Sequence, residues 1–134
     1  MLDTNILILR RLIDPAFLPA QAGISAVVLG ELAAGVHNID DAAPNRDLVR
    51  SDRIALLQQA EAEFDAFPYT AEAARIYSRM FASVRALGRS PRARTNDLMI
   101  AATAAAERLP LFTTNVDDYR GLDHLVQIVA VPRP

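Results

Sequence analysis

Sixteen acidic side chains are spread over the 134 residues, and a few stand apart by their surroundings. Asp3 lies where a short apolar opening hands over to the apolar run Ile6 to Leu9. Glu31 shares a helical face with Val27, Val28, Ala34 and Gly35, its neighbours three and four residues away. Asp97 heads a segment whose same-face neighbours are Ile100, Ala101 and Ala104, and Asp117 and Asp118 follow the apolar stretch Leu111 to Thr114. A carboxylate on an apolar, small-residue face is costly unless something pairs with it. Arginine can satisfy one such group, whereas a divalent cation satisfies several at once. Oxygen donors alone suit Mg²⁺ or Mn²⁺ rather than zinc. The chain has no cysteine, and His37 and His124 are far in sequence from this acidic set.

Each of these residues also has an ordinary structural role. Asp3 can cap a helix, Asp97 suits the positive end of a helix dipole, and Glu31 can sit half-exposed. Asp117 and Asp118, in Asn115-Val116-Asp117-Asp118-Tyr119, have the composition of a turn. Arg89, Arg92 and Arg94 can belong to a solvated loop. The combination carries more than any member does alone.

The elements that must position them read as α/β with a mainly parallel sheet, because apolar runs alternate with helical patterns. A strand end at Met1-Leu2 leads into a helix that stops before Pro15, and Ala22 to Ser25 is a short strand. Ser25 caps a helix over Val27 to Asn38, Asp41 to Asn45 is a turn, and Arg46 to Ala62 is helical by its spacing of Leu48, Ile54, Leu56 and Leu57. Phe64 to Pro68 is a strand, Thr70 caps a helix through Ala86, and Gly88 fits its left-handed stop. Arg89 to Arg94 is a loop, Thr95 caps an alanine-rich helix ended by Leu109-Pro110, and Leu111 to Thr114 and Val126 to Val131 are strands. In open parallel sheets ligands bind beyond the carboxyl ends of the strands. Asp3 and the stretch Asn115 to Asp118 fall at such ends.

Composition narrows the classes. The length fits one domain, residues 1–134. All 14 basic residues are arginines, so a phosphate-loop lysine and Schiff-base chemistry are excluded. A receiver-like phosphotransfer domain, which also clusters aspartates at strand ends, is disfavoured by the same absence of lysine. Without cysteine there is no disulfide framework, zinc knuckle or thiol catalysis. Neither a signal segment nor a membrane span is visible, so a cytoplasmic location is expected.

Four motifs in order resemble the PIN-domain family, specifically the VapC toxins of bacterial toxin–antitoxin pairs. They are Leu2-Asp3-Thr4-Asn5, the stretch Ser25 to Val36 with Gly30-Glu31-Leu32, Asn96-Asp97-Leu98-Met99-Ile100-Ala101-Ala102, and Thr113-Thr114-Asn115-Val116-Asp117-Asp118-Tyr119. The resemblance covers nearly the whole chain and implies a three-layer α/β/α fold with a mainly parallel central sheet. It implies a metal-dependent endoribonuclease silenced by a small cognate antitoxin. Asp3, Glu31, Asp97 and Asp118 would form the catalytic cluster, with Mg²⁺ (or Mn²⁺) held by Asp3, Asp97 and Asp118. Thr4, Asn5, Thr114 and Asn115 would orient those carboxylates, and Arg89, Arg92 and Arg94 would contact RNA phosphates. Hydrolysis by a metal-activated water would leave a 5′-phosphate and a 3′-hydroxyl. Two departures from the family pattern stand out: only Met1 and Leu2 precede Asp3, and Asn115 is neutral where some relatives carry a carboxylate. The fourth ligand then falls to Asp117 or Asp118. Asp118 is the better candidate, because its neighbour Tyr119 should pack inward. The apolar and aromatic content of Thr70 to Ala86, with Ile76, Tyr77, Met80, Phe81 and Val84, predicts a homodimer. The alternative from another class is a non-catalytic PIN-like binding module.

Overall fold

Five extended segments join edge to edge through backbone hydrogen bonds in the computed structural model, which describes residues 1–134. Phe112 N donates to Met1 O and Asp3 N to Phe112 O, at 2.9 and 3.2 Å, while Leu2 N donates to Gly23 O at 2.9 Å. Phe67 N donates to Ile24 O and Ala26 N to Phe67 O, at 2.9 and 2.8 Å. On the other side β1 (Leu111–Thr113) pairs in parallel with β2 (Ile128–Ala130), Phe112 standing opposite Val129. Numbered along the chain, the segments therefore lie in the order third, second, first, fourth, fifth. The order reverses between Asp3 and β1.

Regular strand is scarcer than the sequence predicts. The expected strands Ala22 to Ser25 and Phe64 to Pro68 meet in a single parallel bridge, Ser25 to Phe67, and the opening segment in another, Leu2 to Phe112. The expected central sheet thus reduces to two regular strands extended by isolated bridges. Helices cut these segments short: Asp3 and Ser25 are already helix caps, and Pro68 has no N–H with which to prolong a ladder.

The helices follow their sequence signals closely. In α1 (Thr4–Leu9), Asp3 Oδ1 accepts from Ile6 N at 3.1 Å, and the chain continues as a 3₁₀ turn over Arg10–Leu12. In α2 (Ala26–Gly35), Ser25 Oγ accepts from Val28 N at 3.1 Å. That helix ends short of Asn38, and Arg53 donates to the carbonyls of Gly35 and Asn38 at 2.6 and 2.8 Å. Next comes α3 (Arg46–Glu63), and Thr70 then caps α4 (Ala71–Ala86), which stops at Gly88 with φ +74°. Thr95 is not the expected cap but the first residue of α5 (Thr95–Ala106). Arg94 takes the cap position, and Thr95 Oγ1 donates back to Arg92 O at 3.0 Å.

The core sits between α4 and α5 and beneath the extended segments. Leu98 and every residue from Ile100 to Ala104 are buried, which fits a helix apolar on all sides. Ala73, Ile76, Met80 and Val84 of α4 are buried with them in the same core. By contrast, α3 buries only Ala60 and leaves Leu48 and Ile54 exposed. No helix is long and apolar enough to cross a membrane.

After the acidic turn the chain reverses at Gly121, with φ +86° and the Leu87 side chain packed where a β-carbon would stand. Gly121→Ala is expected to lower unfolding free energy by about 1–2 kcal/mol. Urea denaturation reads this directly, and an unchanged midpoint would show that the turn relaxes freely.

Candidate active site

The segment order reverses between the first segment and β1, and in sheets of this kind the ligand crevice lies beyond the carboxyl ends of the strands at that point. Asp3 lies at its floor, 3% exposed. Oδ1 caps α1, while Oδ2 accepts from Thr113 Oγ1 at 2.5 Å and from Tyr119 Oη at 3.4 Å. Desolvation nevertheless outweighs those donors and pushes the Asp3 carboxyl above its ordinary range.

The other carboxylates approach from three separate elements. Glu31 projects from α2, where Thr4 Oγ1 donates to Oε1 at 2.6 Å and Asn96 Nδ2 to Oε2 at 3.4 Å. Asp118 lies in the 3₁₀ turn Val116–Tyr119 and accepts from Arg94 Nη1 at 3.2 Å. Asp97, in the first turn of α5, accepts no side-chain hydrogen bond. Its carboxyl is raised to about 6, first by desolvation and then by the charges of Asp118, Glu31 and Asp3, with Arg94 opposing them. Four segments from opposite ends of the chain, Asp3 to Asp118, thus place their charges on one another. They do not form a closed cage: no three acidic or histidine side chains stand ready to hold an ion. Three of the four carboxylates are turned to protein donors instead.

The donor set fits a hard divalent cation. It is all oxygen, carries four carboxylates against the single nearby Arg94, and includes in Asp97 a carboxylate that no side-chain donor satisfies.

Several expected helpers are placed differently. Thr113, rather than Thr114, donates to Asp3, because β1 points Leu111 and Thr113 into the interior and leaves Phe112 half-covered. Asn115 contributes its backbone N–H, which donates to Thr113 Oγ1 at 3.0 Å. Asn5 is exposed and acts on Asp3 through its backbone rather than its amide. Arg89 donates to Asp117 rather than standing free, and Arg92 is exposed. Asp117 faces outward between Arg89 and Arg120. Sequence reasoning missed the roles of Thr113, of Asn96, and of the Tyr119 hydroxyl. A strand alternation read one residue earlier would have found the threonine; nothing local marks the other two.

Beside the crevice a groove of about 770 Å³ runs between α1, α2 and α3. Leu7, Ile8, Leu32, Val49, Leu56 and Phe64 line it, and Thr4 and Glu31 connect it to the acidic cluster.

Comparison with known proteins places these features in a family. Residues 1–125 match the PIN domain. The chain is 36% identical over 126 residues to the ribonuclease VapC5 of Mycobacterium tuberculosis, covering 92% of this chain and 87% of that protein. Among solved structures it resembles VapBC-5 of Mycobacterium tuberculosis, a member of the VapBC family of toxin–antitoxin systems, with TM-score 0.77 and 34% identity over 98% of this chain and 96% of that one. FitAcB of Neisseria gonorrhoeae shares the fold, with TM-score 0.66 and 24% identity over 95% and 94% of the two chains.

A carboxyl raised from 3.8 to about 6 means that the native protein binds more protons than the unfolded chain between those values. Its contribution to stability is therefore greatest below about pH 4 and is lost as pH rises through about 6. In EDTA, Asp97→Asn should melt higher than the parent at pH 7.5 and nearly with it at pH 4. A variant that melts lower at pH 7.5 would mean that Asp97 is not electrostatically strained.

Proposed function

Because the chain belongs to the PIN-domain family, and within it to the VapC ribonuclease toxins, we propose that Asp3, Glu31, Asp97 and Asp118 form its catalytic centre and work with Mg²⁺ (or Mn²⁺). The observation that carries this reading is the convergence of Asp3, Glu31 and Asp118 on the partly buried Asp97, whose carboxyl is raised to about 6 by desolvation first and by their charges second. Such a surplus of negative charge is relieved by a dication. Asp3, Asp97 and Asp118 would hold it, with Glu31 as the fourth carboxylate of the cluster.

When bound, the metal polarises the scissile phosphate and lowers the pKa of a water. The chain's own residues supply the rest. Thr113 and Tyr119 fix the Asp3 carboxylate from one side and the α1 backbone fixes it from the other. Thr4 and Asn96 hold the two oxygens of Glu31. Arg92, exposed in the turn that precedes α5, would meet an RNA phosphate. The substrate is RNA, and hydrolysis by water leaves a 5′-phosphate and a 3′-hydroxyl.

The protein partner is an antitoxin, and the groove between α1, α2 and α3 is its proposed seat. An apolar helix laid there covers Ile8, Leu32, Leu56 and Phe64 and brings a cationic side chain past Thr4 to Glu31. This also accounts for α3, which on its own buries a single residue. A homodimer is proposed on narrower ground than the sequence suggests. Ile76, Met80 and Val84 are consumed by the core, leaving Tyr77 and Phe81, half-covered with ring centroids 6.3 Å apart. The reading places the protein in the cytoplasm.

Cleavage of structured RNAs with Mg²⁺ and with EDTA tests the centre. Asp118→Asn should lower the rate on the order of 100-fold or more, since it removes a charged ligand, while Asp117→Asn stays within about threefold of the parent. Equal losses would mean that the turn is positioned otherwise. For the dimer, sedimentation at tens of micromolar should show two copies, and a monomer alone would contradict it.

A further inference from the structure

Two arginine–aspartate contacts flank the crevice, and they are not equivalent. Asp117 is held from both sides, by Arg89 at 3.1 Å and Arg120 at 2.5 Å, and faces solvent. Asp118 meets one cation, Arg94, at 3.2 Å, with the two side chains 25% and 22% exposed. Arg94 is the last residue of the 3₁₀ turn Arg92–Arg94 and the N-cap of α5, where it makes no side-chain capping bond and reaches Asp118 instead. A cation at that end of a helix is opposed by the helix dipole. Only the surrounding carboxylates compensate. Of the five N–H donors of the guanidinium, one is used, and it is used on Asp118.

We propose that Arg94 is a built-in competitor for the divalent cation: its guanidinium neutralises Asp118 until the ion takes that carboxylate, so Arg94 sets the metal affinity of the centre without being a ligand. This rests on the reading of Asp118 as a metal ligand. The geometry makes the two cations exclusive neighbours. A dication at the Asp118 oxygens would stand within a few ångströms of the guanidinium, in a crevice where charges are weakly screened, so the arginine must withdraw or the ion binds less tightly. Arg94 opposes the three carboxylates that act on Asp97, as a counter-ion would. The neighbouring cations cannot take its place, because Arg89 and Arg120 are committed to Asp117.

Calorimetric titration of Mn²⁺ into the full-length protein tests this without any reference to catalysis. Arg94→Gln should tighten Mn²⁺ binding about tenfold, and Arg94→Lys, which keeps the charge, should stay within about twofold of the parent. In an Asp118→Asn background the Arg94→Gln change should have no effect. Arg94→Met, which keeps the aliphatic stem, gives the same reading should the glutamine variant fail to melt cooperatively. Unchanged or weaker binding on loss of the arginine charge would overturn the proposal and make Arg94 a residue that holds Asp118 in place. Equal tightening in the lysine variant would overturn it too. A parent protein that binds no Mn²⁺ at all would instead remove the metal-centre reading, and this proposal with it.

Discussion

The Asp3 carboxylate, buried where the order of the extended segments reverses, is the constraint around which this molecule is arranged. A charged group 3% exposed is tolerated only if its surroundings supply donors. Here they come from three directions: the first turn of α1, the end of β1 through Thr113, and the Tyr119 ring from the turn beyond. The same contacts tie residue 3 to residues 113 and 119, so holding the carboxylate and closing the fold are one act. Removing Thr113 or Tyr119 would loosen both.

The remaining acids make sense against that fixed point. Asp97, Asp118 and Glu31 sit on separate elements, and nothing in packing alone requires them to face one another. Desolvation, with their mutual repulsion added to it, raises Asp97, a standing destabilisation that a protein keeps where function uses it. Arginines moderate the field without cancelling it: Arg94 answers Asp118, while Arg89 and Arg120 are spent on Asp117. The groove beside the crevice reaches the same acids through Glu31 and Thr4, so a partner seated there can act on the centre electrostatically.

Much of this was legible in the sequence, for identifiable reasons. The caps Ser25 and Thr70 and the stop at Gly88 are local signals, and the helices begin and end near them. The four acidic positions were visible because Glu31 and Asp97 sit on apolar helical faces, Asp3 and Asp118 follow apolar runs, and all four fall in motifs that resemble the PIN family. Strand lengths were not legible: an apolar run such as Ala22 to Ser25 does not reveal that Ser25 will cap a helix and leave one bridge. Nor could the sequence decide between Thr113 and Thr114, since a shift of one residue exchanges the two faces of a strand. The hydroxyl of Tyr119 reaching Asp3 across 116 residues has no local signature at all.

The central claim, that carboxylates from four distant segments share one electrostatic site made for a dication, is tested most directly by carboxyl-carbon NMR titration of Asp97. Without divalent ions the midpoint should lie near 6, and with saturating Mg²⁺ it should shift below the ordinary aspartate value of about 4. A midpoint near 4 that Mg²⁺ does not move would contradict it.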